Sequence, residues 1–198
     1  KGVDITTETG THYIFLSEED MDEMGTVLRV NPPVRAKEHG DALWSGVMDG
    51  SINFIASDHS PHAEQEKMKG IWEAISGFVG VETLIQVMYS EAVIKRGMSM
   101  NHFVRICSEN GARAWDCYPQ KGSLQIGTDA DLTIFDPDRK WQIDRHQLHS
   151  KGKVTPWHLW EGKGLPVGTV VRGNVLMWNR KFVAEKPVGR LIRPNATA

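Results

Sequence analysis

The segment INFIASDHSPH, residues 52–62, places an apolar run directly before an acid, two histidines and a proline. Short runs of β-branched and aromatic residues are typical of buried strands, and Pro61 cannot donate to a sheet ladder. Asp58 is therefore predicted at the C-terminal end of a strand, with His59 and His62 on the loop that follows. In α/β proteins this is where ligands and catalytic groups collect, although a plain polar loop is the simpler alternative.

The composition is that of an ordinary globular protein. The 198 residues are 40% hydrophobic and 24% charged, with a formal net charge of -2. These values favour neither nucleic acid nor a membrane as a partner, and no apolar run approaches the roughly 20 residues of a membrane helix. Two cysteines, Cys107 and Cys117, are too few for a disulfide scaffold, so a cytoplasmic location is expected.

The first 120 residues read as strands that feed helices. We predict a strand and its exit over Gly2–Leu16, with Tyr13 to Leu16 extended, and a brief extended run over Val27–Val30. The apolar spacing predicts helices over about 36–48 and 81–95. The polar segment 63–70 is predicted to be a surface loop. Asn110-Gly111 is expected to interrupt a helix.

From Lys121 onward, glycines, aspartates and short β-type runs dominate the sequence. One strand is predicted over Leu132–Phe135, ending at Asp136-Pro137, because proline breaks a central strand. Gly173-Asn174 lies between two β-type runs and is a hairpin signal. We therefore divide the chain into an α/β part, residues 1–120, and a small, mostly β part, residues 121–198.

Asp58 is the strongest candidate for chemistry, since a carboxylate at a strand end can bind a metal or act as a general base. A loop aspartate also commonly caps a helix or forms a turn, and that alternative stays open. Asn31, before two prolines, can present its amide to a substrate or form a turn. His12 is either a ligand or a histidine packed at a strand end. Asn110 is most simply a turn residue or a helix cap.

Several widespread catalytic patterns are absent from the sequence. It contains no glycine-rich phosphate loop, no Cys-x-x-Cys, no His-Glu-x-x-His and no Gly-x-Ser-x-Gly. Metal-assisted hydrolysis therefore ranks ahead of the other reaction classes.

Four strings occur together in a familiar order: VNPPVR at 30–35, IASDHSPH at 55–62, YPQKG at 118–122 and GTDADL at 127–132. With them the chain, from Thr7 to Arg190, resembles the C-terminal part of a cyclic amidohydrolase of the dihydroorotase, hydantoinase (dihydropyrimidinase) and allantoinase group. The resemblance implies an α/β fold, the end of a metal-dependent (β/α)₈ TIM barrel. Gly2–Leu16 would be barrel strand seven and Ser51–Ser57 strand eight. A small β-sandwich would begin at Lys121.

The resemblance also implies roles for individual residues. Asp58 would be the catalytic residue, which binds a divalent metal and carries a proton between the attacking hydroxide and the leaving ring nitrogen. The metal would be Zn²⁺, as a binuclear centre in the full-length protein. Substrate contacts are implied for the side chains of Asn31 and His62 and for the backbone at Asn110 and Gly77.

The chain departs from the family pattern at three places. Gly10-Thr11 stand where the family usually has Cys-Pro, and Gly111 follows Asn110 where proline is usual. The family's other metal ligands, on strands one, four, five and six, have no counterpart here. We therefore expect an incomplete and inactive part of a homo-oligomeric enzyme, a dimer or tetramer. Its substrate would be a cyclic amide such as dihydroorotate, a hydantoin or dihydropyrimidine, or allantoin.

Two other interpretations stay open. A non-catalytic, amidohydrolase-like scaffold protein would lack the metal ligands, and only the preceding sequence would reveal their loss. A metal-dependent deaminase could use the same barrel, but the strings around Asn31-Pro32-Pro33 and Tyr118-Pro119 disfavour it.

Overall fold

Two short strands form a parallel pair in the computed structural model, which describes residues 3–194. Strand β1 (Glu8–Gly10) pairs with strand β2 (Phe54–Ala56), and Gly10 lies opposite Ala56. A parallel pair requires a crossover connection, and here the crossover consists of helices. Because both strands end at the same edge, the residues that follow Gly10 and Ala56 are brought together.

Helices make up most of the remaining structure as far as residue 114. Within residues 3–194 the α-helices are α1 (Thr11–Phe15), α2 (Glu18–Met24), α3 (Lys37–Asp49), α4 (Glu64–Lys67), α5 (Leu84–Met88), α6 (Met100–Val104) and α7 (Asn110–Ala114). There are also 3₁₀-helices at Gly25–Leu28 and Arg145–Gln147, and π-helical segments at Tyr89–Lys95 and Arg105–Glu109. None of the helices in this described part of the chain is long and apolar enough to span a bilayer.

Two helix predictions are confirmed. The predicted helix 36–48 is α3, which buries Val47 and ends at Gly50 in a left-handed conformation with φ 86°. The predicted helix 81–95 is α5 together with the π-helical segment Tyr89–Lys95. Val87, Met88 and Ala92 of this combined helix are fully buried, so its apolar face lies in the core as the spacing indicates.

Three predictions of local structure are wrong. Tyr13–Leu16 is not extended but belongs largely to α1, which packs so closely on α3 that a Cβ at Gly40 would lie 2.9 Å from the Ile14 carbonyl oxygen. The predicted extended run Val27–Val30 is wrong in its first half, since Val27 and Leu28 belong to the 3₁₀-helix and the backbone becomes extended only at Arg29. Asn110-Gly111 does not interrupt the helix, because α7 continues directly from the π-helical segment. In each case tertiary packing outweighs intrinsic propensity.

The C-terminal region forms an antiparallel sheet of four strands in the order β3-β4-β5-β6. They are β3 (Leu132–Gln142), β4 (Glu161–Val171), β5 (Asn174–Trp178) and β6 (Lys181–Phe182). The predicted hairpin is confirmed, with Arg172 and Gly173 in its turn at positive φ. The predicted end of β3 is wrong, because the strand accommodates Pro137 in an irregularity between Asp136 and Lys140.

The described residues of this region form one sheet, so the second sheet of the predicted β-sandwich stays a prediction, as does the boundary at Lys121. A shared core joins the region to the helical part. Trp141, Trp157 and Leu165 pack in one buried cluster with Leu28 and Phe78. The predicted ranges Gly2–Leu16 and 121–198 begin or end outside the described residues.

The C-terminal region also supports the loop that follows Asp58. Val79 donates a backbone hydrogen bond of 2.9 Å to the Val154 carbonyl. A Cβ at Gly152 would lie 2.6 Å from the carbonyl oxygen of His62, so the two backbones are in close contact. Residues of the C-terminal region therefore contact the loop that carries His62 and Gly77 and support it.

Candidate active site

Asp58 and His12 occupy equivalent positions at the common end of the two parallel strands. Each lies two residues beyond the paired residues Gly10 and Ala56. The Asp58 side chain is 47% exposed, and its backbone is left-handed with φ 48°, a conformation that aspartate tolerates. His12 Nε2 is 3.6 Å from Asp58 Oδ2. The predicted position of Asp58 at a strand end is thus what the structure shows.

The His12 ring is fully buried, and neither of its ring nitrogens has a hydrogen-bond partner within residues 3–194. It packs against the ring of Tyr13 at 4.0 Å and the edge of Phe78 at 4.9 Å between ring centroids. Burial lowers the pKa of His12 to about 4, so the imidazole is neutral at pH 7. A neutral ring, not an imidazolium, therefore faces the Asp58 carboxylate.

The turn that carries Asn31 is tied to the same end of the sheet. The Tyr13 hydroxyl donates to the Pro32 carbonyl at 3.0 Å. Burial and, to a smaller extent, the negative charge of Asp58 raise the pKa of Tyr13 to about 12. Asn31 itself is exposed. The Asn31 turn is therefore bonded to Tyr13, the residue that follows His12.

Backbone hydrogen bonds join the loop at Gly77 to the segment before the Asn31 turn and to the loop that follows Asp58. The Gly77 N–H donates to the Arg29 carbonyl at 2.9 Å, two residues before Asn31. Ser60 donates from its N–H to the Phe78 carbonyl at 3.0 Å. Gly77 has φ 115° and lies against the Ser60 side chain, so only a residue without a Cβ fits there easily.

The two histidines after Asp58 are held differently. His59 Nδ1 accepts hydrogen bonds from the N–H groups of Gly80 and Val81 at 3.2 and 3.3 Å, so its ring secures the loop. His62 is half-buried and its Nε2 lies 3.1 Å from the Ser60 hydroxyl. His62 thus remains on the loop that borders the site.

Lys67 was not anticipated from the sequence. Its side chain is fully buried, and Nζ donates to the carbonyls of Arg29 at 2.9 Å and Ile75 at 3.1 Å. The segment 63–70 is therefore not simply a surface loop, because helix α4 turns Lys67 inward. Two backbone carbonyls offset part of the cost of burying the ammonium. The lysine has no marked pattern around it that would distinguish it from its exposed neighbours.

The structure does not bring the Asn110 side chain to the site. Asn110 Nδ2 donates to the Asn53 carbonyl at 2.6 Å. Asn53 precedes β2 whereas Asp58 follows it, and a strand advances about 3.3 Å per residue. The side chain of Asn110 is therefore engaged at the opposite end of the strand from the other predicted residues.

A metal has one evident ligand in this part of the chain. The Asp58 carboxylate is accessible and makes no ion pair with a lysine or arginine among the residues described. No group of three His, Cys, Asp or Glu side chains within residues 3–194 could hold a metal. Since a catalytic metal needs about three protein ligands, Asp58 fits as one ligand but the described residues do not form a complete site.

The chain belongs to the amidohydrolase family, whose sequence model matches residues 2–176. The similar proteins confirm the resemblance to the cyclic amidohydrolase group. L-hydantoinase of Paenarthrobacter aurescens is 34% identical over 195 residues, covering 97% of this chain and 43% of that protein. A dihydroorotase of Halalkalibacterium halodurans is 37% identical over 183 residues, covering 92% and 42%.

Solved structures agree with the sequence comparison. The L-hydantoinase (dihydropyrimidinase) of Arthrobacter aurescens superposes with a TM-score of 0.89 at 35% identity, covering 93% of this chain and 42% of that one. The dihydropyrimidinase of Brevibacillus agri superposes with a TM-score of 0.92 at 26% identity, covering 100% and 44%. These likenesses support the expected barrel-type fold. The chain spans less than half the length of these relatives.

Proposed function

We propose that the complete protein hydrolyses the ring C–N bond of a cyclic amide, such as dihydroorotate, a hydantoin or dihydropyrimidine, or allantoin. The names of the similar proteins, L-hydantoinase and dihydroorotase, support this reaction class. The single observation that carries it is the accessible Asp58 carboxylate at the common end of two parallel strands, with the Asn31 turn and the Gly77 loop tied beside it. This edge of a sheet is where α/β enzymes place their catalytic groups.

In this proposal Asp58 moves one proton in each direction. An Asp58 carboxylate oxygen accepts a proton from the attacking water as the new C–O bond forms at the ring carbonyl. The same oxygen then returns the proton to the ring nitrogen as the C–N bond breaks, so that Asp58 ends the cycle ionised. Asn31, His62 and the backbone at Gly77 orient the ring, which supplies the positioning part of the rate enhancement.

The proposal includes a divalent metal, Zn²⁺ as a binuclear centre, for which Asp58 supplies one ligand. When bound, such a metal makes a water acidic enough to ionise near neutral pH and polarises the carbonyl. The predicted homo-oligomer and cytoplasmic location stay predictions.

The test is Asp58→Asn in the complete protein, assayed on a panel of dihydroorotate, dihydrouracil, hydantoins and allantoin. Loss of a general acid–base group typically lowers turnover about 10²–10⁴-fold, and we expect kcat to fall by that factor with the fold intact. Asp116→Asn is the matched control, since Asp116 is an exposed aspartate that also has a left-handed backbone, with φ 53°. Near-normal turnover by Asp58→Asn would refute the assigned role.

The same panel separates the two alternative functions. A scaffold protein would turn over none of the substrates with any divalent metal added. A deaminase would leave every ring of the panel closed, because none of these substrates carries the amino-substituted ring C=N that it hydrolyses, and it would release ammonia only from an added aminopyrimidine or aminopurine. The proposed reaction gives a ring-opened product and no ammonia.

A further inference from the structure

We propose that His12 is a positioning residue that holds the Asp58 carboxylate in one orientation, and that glycine at position 10 makes room for this contact. The inference rests on the proposed function, because it concerns how Asp58 is kept in place for proton transfer. It assigns a role to a buried histidine and to a glycine that the mechanism above does not use.

The first observation is the unpartnered state of the His12 ring. Both ring nitrogens are buried without a hydrogen-bond partner within residues 3–194, and such groups are rare in folded proteins. Asp58 Oδ2, 3.6 Å from Nε2, faces the ring. A side-chain rotation that shortens this distance by about half an ångström would give an ordinary N–H···O hydrogen bond. Donation from Nε2 to Asp58 would therefore satisfy one of the two ring nitrogens and restrain the carboxylate at the same time.

The second observation is that His12 is held independently of Asp58. Its ring packs against Tyr13 and Phe78. Tyr13 is fixed through its hydroxyl to the Pro32 carbonyl, and Phe78 through its carbonyl to the Ser60 N–H. Asp58, by contrast, is half-exposed on a loop. A donor that is fixed by packing can orient a half-exposed carboxylate beside it.

The third observation concerns Gly10. A Cβ at this position would lie 2.4 Å from His12 Cε1 and 2.8 Å from Nδ1. The Gly10 backbone is extended, with φ -96° and ψ 154°, so glycine is not required there by the backbone. It is required by the ring, which occupies the space that any other side chain would fill.

These observations define three variants of the complete protein. His12→Leu removes the donor and keeps an apolar side chain, whereas His12→Gln keeps an N–H donor. Gly10→Ala leaves His12 intact but displaces its ring. We expect kcat to fall about 10–100-fold in His12→Leu and Gly10→Ala, as for other residues that orient a catalytic group. KM should stay within about twofold, and His12→Gln should recover most of the loss.

His102→Leu is the control, because His102 is a partly buried histidine whose Nε2 lies 2.9 Å from the Val47 carbonyl, away from Asp58. Its kcat should equal that of the unmodified protein. A crystal structure of Gly10→Ala gives a readout that does not depend on activity. We expect the His12 ring to move away from Asp58 and the carboxylate to occupy more than one position.

Two outcomes would overturn the inference in different ways. If His12→Leu and Gly10→Ala keep normal kcat while Asp58→Asn is inactive, His12 does not position Asp58 and the proposed function stands. A single, unchanged Asp58 orientation in the Gly10→Ala crystal would lead to the same conclusion. If Asp58→Asn is itself active, the proposed function fails and the inference fails with it.

Discussion

Lys67 Nζ donates a hydrogen bond of 2.9 Å to the carbonyl oxygen of Arg29, 38 residues earlier in the chain. The same ammonium donates to the Ile75 carbonyl at 3.1 Å. Arg29 precedes Asn31 by two residues, and Ile75 precedes Gly77 by two. Lys67 thus links the two backbone segments that are proposed to contact the substrate.

Replacing Lys67 with methionine should loosen this link. The change leaves the Ile75 carbonyl without this donor and the Arg29 carbonyl with the Gly77 N–H alone. An unsatisfied buried group costs about 1–3 kcal/mol. We expect the free energy of unfolding to fall by about that amount in urea titrations, and KM for the cyclic amide to rise. Lys69→Met is the control, since Lys69 is exposed in the same segment. Equal effects of the two substitutions would contradict the prediction.

Lys67 should also make stability depend on pH in the alkaline range. Burial, with a smaller effect of the Arg29 charge, lowers its pKa from 10.5 to about 8. Between pH 8 and 10.5 the unfolded chain therefore binds more protons at this group, so its contribution to stability rises with pH. The free energy of unfolding of the unmodified protein, relative to Lys67→Met, should increase across this window.

The size of this increase is bounded by the pKa shift. One pKa unit corresponds to about 1.36 kcal/mol, so a shift from 10.5 to about 8 limits the gain to about 3–4 kcal/mol. The two carbonyls favour the ammonium form and reduce the gain. Urea unfolding of both proteins at pH 7, 8, 9 and 10 measures it. A constant difference between the two proteins would show that Lys67 keeps an ordinary pKa.

The sequence predicts the position of Asp58 at the end of a strand but does not predict the burial of Lys67. The difference has a physical reason. A strand followed by an acid and a proline is a local pattern, and the end of a strand is defined by neighbouring residues. Lys67 acquires its role from carbonyls of Arg29 and Ile75, which adjoin it only after folding. The run of charged residues around it is typical of a surface, and nothing local marks one lysine as buried.

The contacts of His12 and Asn110 also depend on tertiary structure, and the sequence alone does not predict them. The sequence leaves His12 as either a ligand or a packed histidine, and its approach to Asp58 depends on strand pairing that aligns Gly10 with Ala56. The resemblance assigns the Asn110 backbone to the substrate, which stays a prediction, and it does not reveal that the Asn110 side chain bonds the backbone before β2. Spacing along the chain identifies candidates, but the end of the sheet at which they lie is a tertiary property.

Asn110→Ala should therefore affect stability more than substrate binding. It removes a partly buried hydrogen bond to the Asn53 carbonyl, which is worth about 0.5–1.5 kcal/mol. We expect the free energy of unfolding in urea to fall by that amount. KM and kcat should change by less than about twofold. Asn101→Ala, at an exposed position on helix α6, is the control. A rise in KM without loss of stability would show that the Asn110 side chain, and not its backbone alone, contacts the substrate.

Gly77→Ala should strain the loop that borders the site. Gly77 has φ 115°, which L-residues rarely adopt, and its Cβ would lie 2.6 Å from Ser60 Cβ and 3.1 Å from the Ser60 carbonyl oxygen. Backbone strain of this kind costs about 1–3 kcal/mol, and relief requires the loop to move away from Asp58. We expect lower thermal stability and a KM raised several-fold, with kcat less affected. Gly70→Ala is the control, because a Cβ there meets nothing within 4 Å. If Gly77→Ala lowers stability but leaves KM unchanged, the Gly77 backbone does not contact the ring.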